Sequence, residues 1–369
     1  MKYERMPIEI ESPEQLGYDT IECNLAESSI HDAVFGDLRL DLHHLVLAYG
    51  HHLGTPALRE LIAQPYTAIS PEDILVTAGA AAALFIVGTS LLSKNDHLLV
   101  MRPNYATNIE TPKAIGCQID FIDLDFERKF EPDIKHIESL LKPNTRYISI
   151  TTPHNPTGTV ISEETLLQLV HLVEKHKCFL LVDETYRDLN FGIQLPLAAT
   201  LSDRAISVSS VSKAFGLPGI RIGWVITKNK KLQEMFLAAK EQIFLCNSVV
   251  DEEIAYQFLK QKSQYLPSIQ QKITANFEIL KSWMKHQPHL EWVTPEAGVT
   301  CFPRLKKEIR IHTEAFYHTL YHTYKTLVGP GHWFDMDKRY MRIGYGWPSK
   351  EALFKGLENI TQALDEHIQ

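Results

Sequence analysis

Between about residue 73 and residue 228 the chain alternates two kinds of apolar pattern. Short runs rich in Val, Ile, Leu and Phe (ILVTAG, HLLVM, QIDFIDL, RYISIT, FLLVDE, AISVSS and GWVIT) read as strands. Between them lie stretches of helical period: AAAALFIVGTSLLS, ATNIETPKAIG, HIESLLKP and SEETLLQLVHLVEKH. Ser162 is placed to cap the last of these, with Glu163 and Glu164 in its first turn, where the helix dipole favours acidic groups. Strand–helix alternation with apolar strands predicts an α/β fold, a large domain with a mostly parallel sheet covered by helices on both faces. Ligands on such sheets bind beyond the carboxyl ends of the strands.

After about residue 228 the pattern changes. A helical stretch, KKLQEMFLAAKEQIFL, is followed by another that runs to about residue 286. Short strands (VTCFP, YMRIGY) and a last helix from about Ser349 then predict a smaller α+β domain. The first forty or so residues lack the alternation and are grouped with it. The expected division is 45–245 for the large domain, with 1–44 and 246–369 forming the small one.

Composition narrows the classes. The 369 residues, 44% hydrophobic and 22% charged, suffice for two cores. A net charge of −8 argues against general affinity for nucleic acid or an anionic membrane. The longest apolar run, GAAAALFIVGTSLL, is too short and too interrupted to span a bilayer. The opening MKYERMPIEIESPEQ has no apolar signal core, so a cytoplasmic protein is expected. Five cysteines without a C-x-x-C fit a reducing compartment, with Cys178 and Cys301 in apolar runs as small buried hydrophobes. The 17 histidines, including His43–His44 and His51–His52, lack metal-ligand spacing, and no metal is expected. No glycine-rich nucleotide-binding motif occurs.

The chemistry centres on Lys213, in SSVSKAFGLPGIRIGW. No other charged residue lies between Ser207 and Phe215, and an amine among small hydroxyl residues suits Schiff-base formation with a carbonyl. Pyridoxal phosphate is the carbonyl cofactor that such a lysine serves, and its other requirements can be sought along the chain. A carboxylate must keep the ring nitrogen protonated, and Asp183, ending the apolar run of FLLVDETY, is placed for that. Buried there, it also predicts a cationic partner. Asn155 in TTPHNPTG and Tyr186 supply an amide and a phenol for a ring oxygen; N-P-T-G is a turn signal too, and the two readings are compatible. Gly79, Ala80 and Ala81 lie where a strand gives way to a helix, so their N–H groups can face a phosphate, although helix initiation alone accounts for them. Arg221 can add a bidentate pair and Ser210 a hydroxyl. Tyr105, in MRPNY, can cover a ring or simply pack in the core. Arg342, in the apolar YMRIGY, needs an anion, either a substrate carboxylate or a structural partner.

These stretches together resemble the class I/II aminotransferases of the fold-type I pyridoxal-phosphate enzymes. YGHHLGTPALR, VTAGAAAALF, PNY, TTPHNPTG, LLVDETY, SSVSKAFGLPGIRIGW, PEAGVTCFP and YMRIGY follow the family's order from about residue 49 to 345. The resemblance implies an enzyme that moves an amino group between an amino acid and a 2-oxo acid, as a homodimer with shared sites. It also implies roles: Lys213 as the Schiff-base lysine and proton carrier, and Asp183 on the ring nitrogen. Asn155 and Tyr186 would bind the ring oxygen, and Tyr105 would stack on the ring. Gly79, Ala80, Ala81, Ser210 and Arg221 would hold the phosphate, Arg342 the α-carboxylate, and Tyr49 would reach the phosphate from the neighbouring subunit. The same residues would also serve elimination, decarboxylation or cyclisation of an amino acid. Two departures stand out. Ala80 and Ala81 replace hydroxyl residues common in the family, and NLAESSIHD lacks its glycine-containing substrate loop. No second carboxylate-binding arginine is evident, so dicarboxylic substrates are not expected.

Overall fold

The computed structural model describes residues 1–192 and 194–368; Ile193 and Gln369 lie outside the described residues. Seven strands build the main sheet: β1 (Ile74–Thr77), β2 (His97–Arg102), β3 (Gln118–Asp123), β4 (Thr145–Thr151), β5 (Phe179–Asp183), β6 (Ala205–Ser210) and β7 (Gly223–Ile226). Their order is β1-β7-β6-β5-β4-β2-β3. Only β7 runs antiparallel, between β1 and β6. The mostly parallel sheet expected from the alternation is therefore present.

Both faces are covered, and the alternation within β2 shows how. Leu98 and Val100 pack with Leu84 and Val87 of the helix α1 (Gly79–Leu91). Leu99 and Met101, facing the other way, pack with Leu166, Leu169 and Val173 of the helix α2 (Glu163–His176). Burying each such side chain contributes roughly 1.5–3 kcal/mol. In α2 the Ser162 Oγ accepts the Thr165 N–H at 3.0 Å, the cap read from the sequence.

The second half is helical and then mixed. The long stretch expected to reach residue 286 is two helices, α3 (Val249–Lys260) and α4 (Lys262–Lys285), because Gln261 between them leaves helical geometry at φ −109°, ψ 8°. Thr300–Cys301 and Gly329–Pro330 flank Met341–Gly344 in a small antiparallel sheet. The last helix, α5 (Lys350–His367), buries Leu353, Leu357, Ile360 and Leu364 on one face. The N-terminal stretch is joined to this half: Cys23–Asn24 pairs in parallel with Thr326–Leu327, and Gly344 N–H donates to the Leu25 carbonyl at 2.7 Å. Among the described residues no helix is long and apolar enough to cross a membrane, and Cys178 and Cys301 are buried.

Candidate active site

A cavity of about 750 Å3 opens where three neighbouring strands end. Thr151, Asp183 and Ser210, the last residues of β4, β5 and β6, all line it. The position beyond the carboxyl edge is the one the sheet topology favours for a ligand.

Asp183 is 4% exposed. Its Oδ1 accepts from the Thr185 N–H at 3.1 Å and the Thr185 hydroxyl at 2.6 Å. Burial still pushes its pKa up, against the pull of those bonds. Among the described residues it has no lysine, arginine or histidine in ion-pair contact, contrary to the cationic partner expected from the sequence. A buried carboxylate facing a cavity without a counter-ion is costly unless something cationic enters that cavity.

Lys213 lines the same cavity three residues beyond β6. Burial lowers its pKa, Glu27 opposes that, and Arg342 and Arg221 reinforce it. An amine held below its ordinary range is neutral a larger part of the time and therefore nucleophilic.

The cup for an anion is built from backbone and one arginine. Ala78 caps α1 without a side-chain bond, so the N–H groups of the first turn have no partner within the helix, and Ala80 and Ala81 line the cavity. Gly79 sits at φ +80°, and a Cβ there would lie 2.5 Å from Arg221 Nη2. Only glycine lets the guanidinium approach this closely. The same conformation ends β1 at Thr77, two residues short of the ILVTAG run. Arg221 Nη1 donates to the Pro218 carbonyl at 2.8 Å, and Ser210 lines the cavity beside it.

Arg342 is 3% exposed and lies in the strand Met341–Gly344. Its Nη1 donates to Asn155 Oδ1 at 3.1 Å and its Nη2 to the Ala26 carbonyl at 2.6 Å. Nε is buried without a partner. The anion that the sequence required is therefore not a protein carboxylate, and a buried guanidinium with an unused donor suits an incoming one. Because Asn155 Oδ1 is taken by Arg342, the nitrogen end of that amide is the one left for a cavity acceptor. Tyr186, 4% exposed, spends its hydroxyl proton on the Ser28 carbonyl at 2.8 Å. Tyr105 lines the cavity, its phenol pushed up by burial. Tyr49 is not brought to this cavity: it stands 86% exposed on its own chain.

Several lining groups had no sequence signal. Glu9, Ser12, Glu14, Tyr18, Glu27 and Asp32 all reach the cavity from a stretch whose only described elements are single helical turns and the two-residue strand Cys23–Asn24. Asn108, whose side chain pulls the Asp183 pKa down against burial, was hidden as one polar position in a helix. Thr185 could have been found, since a Thr two residues after an Asp closes a local side-chain turn.

A phosphate, a protonated ring nitrogen and a carbonyl on one planar group fit the anion cup, the counter-ion-free carboxylate and the lysine. Known proteins agree with that reading. The model of the family "Aminotransferase class I and II" matches residues 27–360. Capreomycidine synthase of Streptomyces vinaceus is 27% identical over 366 residues, 95% of this chain and 92% of that protein. An aspartate aminotransferase of Pyrococcus horikoshii is 25% identical over 329 residues, 86% of this chain and 83% of that one. The crystal structure of a PLP-dependent aminotransferase from Streptococcus suis superposes with a TM-score of 0.91 at 29% identity, covering 99% of both chains. With a match across nearly its whole length and the fold to go with it, the chain belongs to the class I and II aminotransferase family, whose members depend on pyridoxal phosphate.

Proposed function

We propose that the protein is a pyridoxal-phosphate-dependent aminotransferase that passes an amino group from an amino acid to a 2-oxo acid. The observation that carries this is Asp183, a buried carboxylate at the cavity with no ion-paired cation among the described residues, with Lys213 lining the same cavity. When bound, pyridoxal phosphate supplies a carbonyl for the substrate amine and an electron sink for the carbon that loses its proton. The first-turn N–H groups of Ala80 and Ala81, Ser210 and Arg221 hold the phosphate. Asp183 would keep the ring nitrogen protonated, Asn155 would donate its amide N–H to the ring oxygen, Tyr186 would do so once its hydroxyl proton leaves the Ser28 carbonyl, and Tyr105 would cover the ring. Arg342 receives the substrate carboxylate and so aims the α-carbon. Lys213 Nζ, its pKa lowered by burial, would accept the α-proton and return it to the carbon on the far side of the amine nitrogen.

We also assign Tyr49 to the phosphate of a neighbouring subunit in a homodimer. Tyr49, Val46 and Leu47 are 86%, 74% and 77% exposed, which suits a surface that a second copy covers. The five free cysteines fit a cytoplasmic setting.

A second reading is favoured by the full-length likeness to a protein named capreomycidine synthase: a cyclisation or elimination on the same site. The test is to incubate the holoenzyme with amino acids, with and without pyruvate, and to follow oxo-acid formation. Transfer predicts turnover that needs the acceptor. Sustained product formation without acceptor overturns transfer in favour of the second reading. Turnover that persists in Lys213→Ala overturns both.

A further inference from the structure

We propose that this site takes an amino acid whose side chain ends in a cation, a guanidinium or an ammonium, recognised by Glu14, Glu27 and Asp32. The inference rests on the cofactor and carboxylate assignments above. Under them every cation in the cavity already has its anion: Arg221 the phosphate, Arg342 the α-carboxylate. Lys213 is committed to the carbonyl, and Asp183 to the ring nitrogen. Glu9, Glu14, Glu27 and Asp32 remain, all lining the same cavity. Among the described residues none of the four is ion-paired with a lysine, arginine or histidine.

Two of these carboxylates are held by neutral donors on an aromatic wall. Tyr18 Oη donates to Glu27 Oε1 at 3.1 Å, and Trp347 Nε1 donates to Asp32 Oδ2 at 2.9 Å. The Tyr18 and Trp347 rings stack at 6.3 Å between centroids, 17° from parallel. Each carboxylate is oriented by one hydrogen bond and keeps its other oxygen for a ligand. Carboxylates beside an aromatic face are a setting for a cation.

A buried hydroxyl marks the same region independently. Ser12, 6% exposed, lines the cavity, and its Oγ is buried without a hydrogen-bond partner. It starts the helical turn Pro13–Leu16 but makes no cap bond to it. A buried hydroxyl left unpaired at a cavity calls for a partner from the ligand.

The acidic strap is also fixed in place. Ile30 N–H donates to the Lys213 carbonyl at 3.2 Å, and Ala33 N–H to the Gly216 carbonyl at 2.8 Å. Tyr186 holds the Ser28 carbonyl and Arg342 the Ala26 carbonyl. Gly216, at φ +64°, lets the strap lie close, since a Cβ there would be 2.4 Å from the His31 carbonyl oxygen. Glu27 and Asp32 therefore stand on backbone pinned across the reactive lysine, and little ordering is left for binding. A dicarboxylic substrate would place its second carboxylate among these four like charges.

The test uses the holoenzyme and reads the change in the cofactor's visible absorbance against amino-acid concentration. Arginine, lysine, citrulline and glutamate are the probes; citrulline matches arginine in shape without the charge. Arginine or lysine should half-saturate at a concentration at least about tenfold below citrulline, the value of a charge-assisted pair, with glutamate weaker still. Glu27→Gln and Asp32→Asn should each move the ratio of the preferred cation to citrulline toward one. A wild-type protein that answers citrulline or glutamate as readily as arginine and lysine overturns the proposal while leaving the cofactor reading intact. So does a preference that survives both substitutions. No cofactor absorbance at all overturns the cofactor reading, and this proposal with it.

Discussion

Replacing Asp183 by asparagine should strengthen the empty protein and cripple the loaded one. Asp183 is 4% exposed and keeps two bonds from Thr185, yet its pKa is raised, so burial outweighs those bonds and the fold prefers the group uncharged. A carboxylate whose folded pKa is raised contributes fully below its unfolded pKa, and that contribution is lost as pH rises through the folded value. Asparagine keeps an acceptor for Thr185 and removes the charge. The cofactor-free variant should therefore unfold at a higher temperature than wild type at pH 8. The gain should shrink toward pH 4. With cofactor bound the sign reverses, because losing one partner of a buried pair costs about 3–5 kcal/mol. Turnover or cofactor affinity should then fall roughly 100- to 4,000-fold. Thermal unfolding of cofactor-free and loaded protein at both pH values, with turnover measured alongside, checks this. A cofactor-free variant less stable than wild type at pH 8, or one that keeps wild-type turnover, refutes the reasoning.

Three further outcomes follow from the same geometry. Gly79→Ala puts a Cβ 2.5 Å from Arg221 Nη2 at a left-handed φ; cofactor affinity should drop roughly tenfold or more, and an unchanged titration would count against the phosphate cup. Arg342→Lys keeps the charge but loses the fork that reaches Asn155 and Ala26; KM for the amino acid should rise about tenfold or more with the cofactor absorbance unaltered, and a KM unchanged would reject the carboxylate role. Glu184, buried 3.6 Å from Arg187 with Oε2 unpartnered, is pushed up to about 7 by burial. Its contribution to stability is complete below about 4.5 and is lost as pH rises through about 7, so Glu184→Gln should flatten the fall in the urea midpoint between pH 5 and 8; a slope equal to wild type refutes this.

The fold was legible because its signals are local. The seven strands of the main sheet coincide with the apolar runs, and Ser162 caps its helix as its side chain and spacing require. The errors lie at boundaries, where backbone geometry overrides side-chain pattern: Gly79 turns the chain at φ +80°, and Gln261 divides one helical stretch into two. The antiparallel direction of β7 was not readable, since parallel and antiparallel strands share one period.

The sequence by itself singled out the candidate side chains, most of them at strand ends and tight turns. Lys213, Asp183, Asn155, Arg221 and Arg342 announce themselves because each is an anomaly in its own segment: a charge or amide in apolar or small-residue company. Only the tertiary structure decided what surrounds them. Among the described residues it left Asp183 without an ion-paired cation and Arg342 without an ion-paired carboxylate, and it tied the segment that carries Glu27 and Asp32 to the Lys213 and Gly216 carbonyls. These are relations between segments far apart in the chain, made by hydrogen bonds such as Tyr186 to Ser28 and Ile30 to Lys213, and no local pattern of residues encodes them.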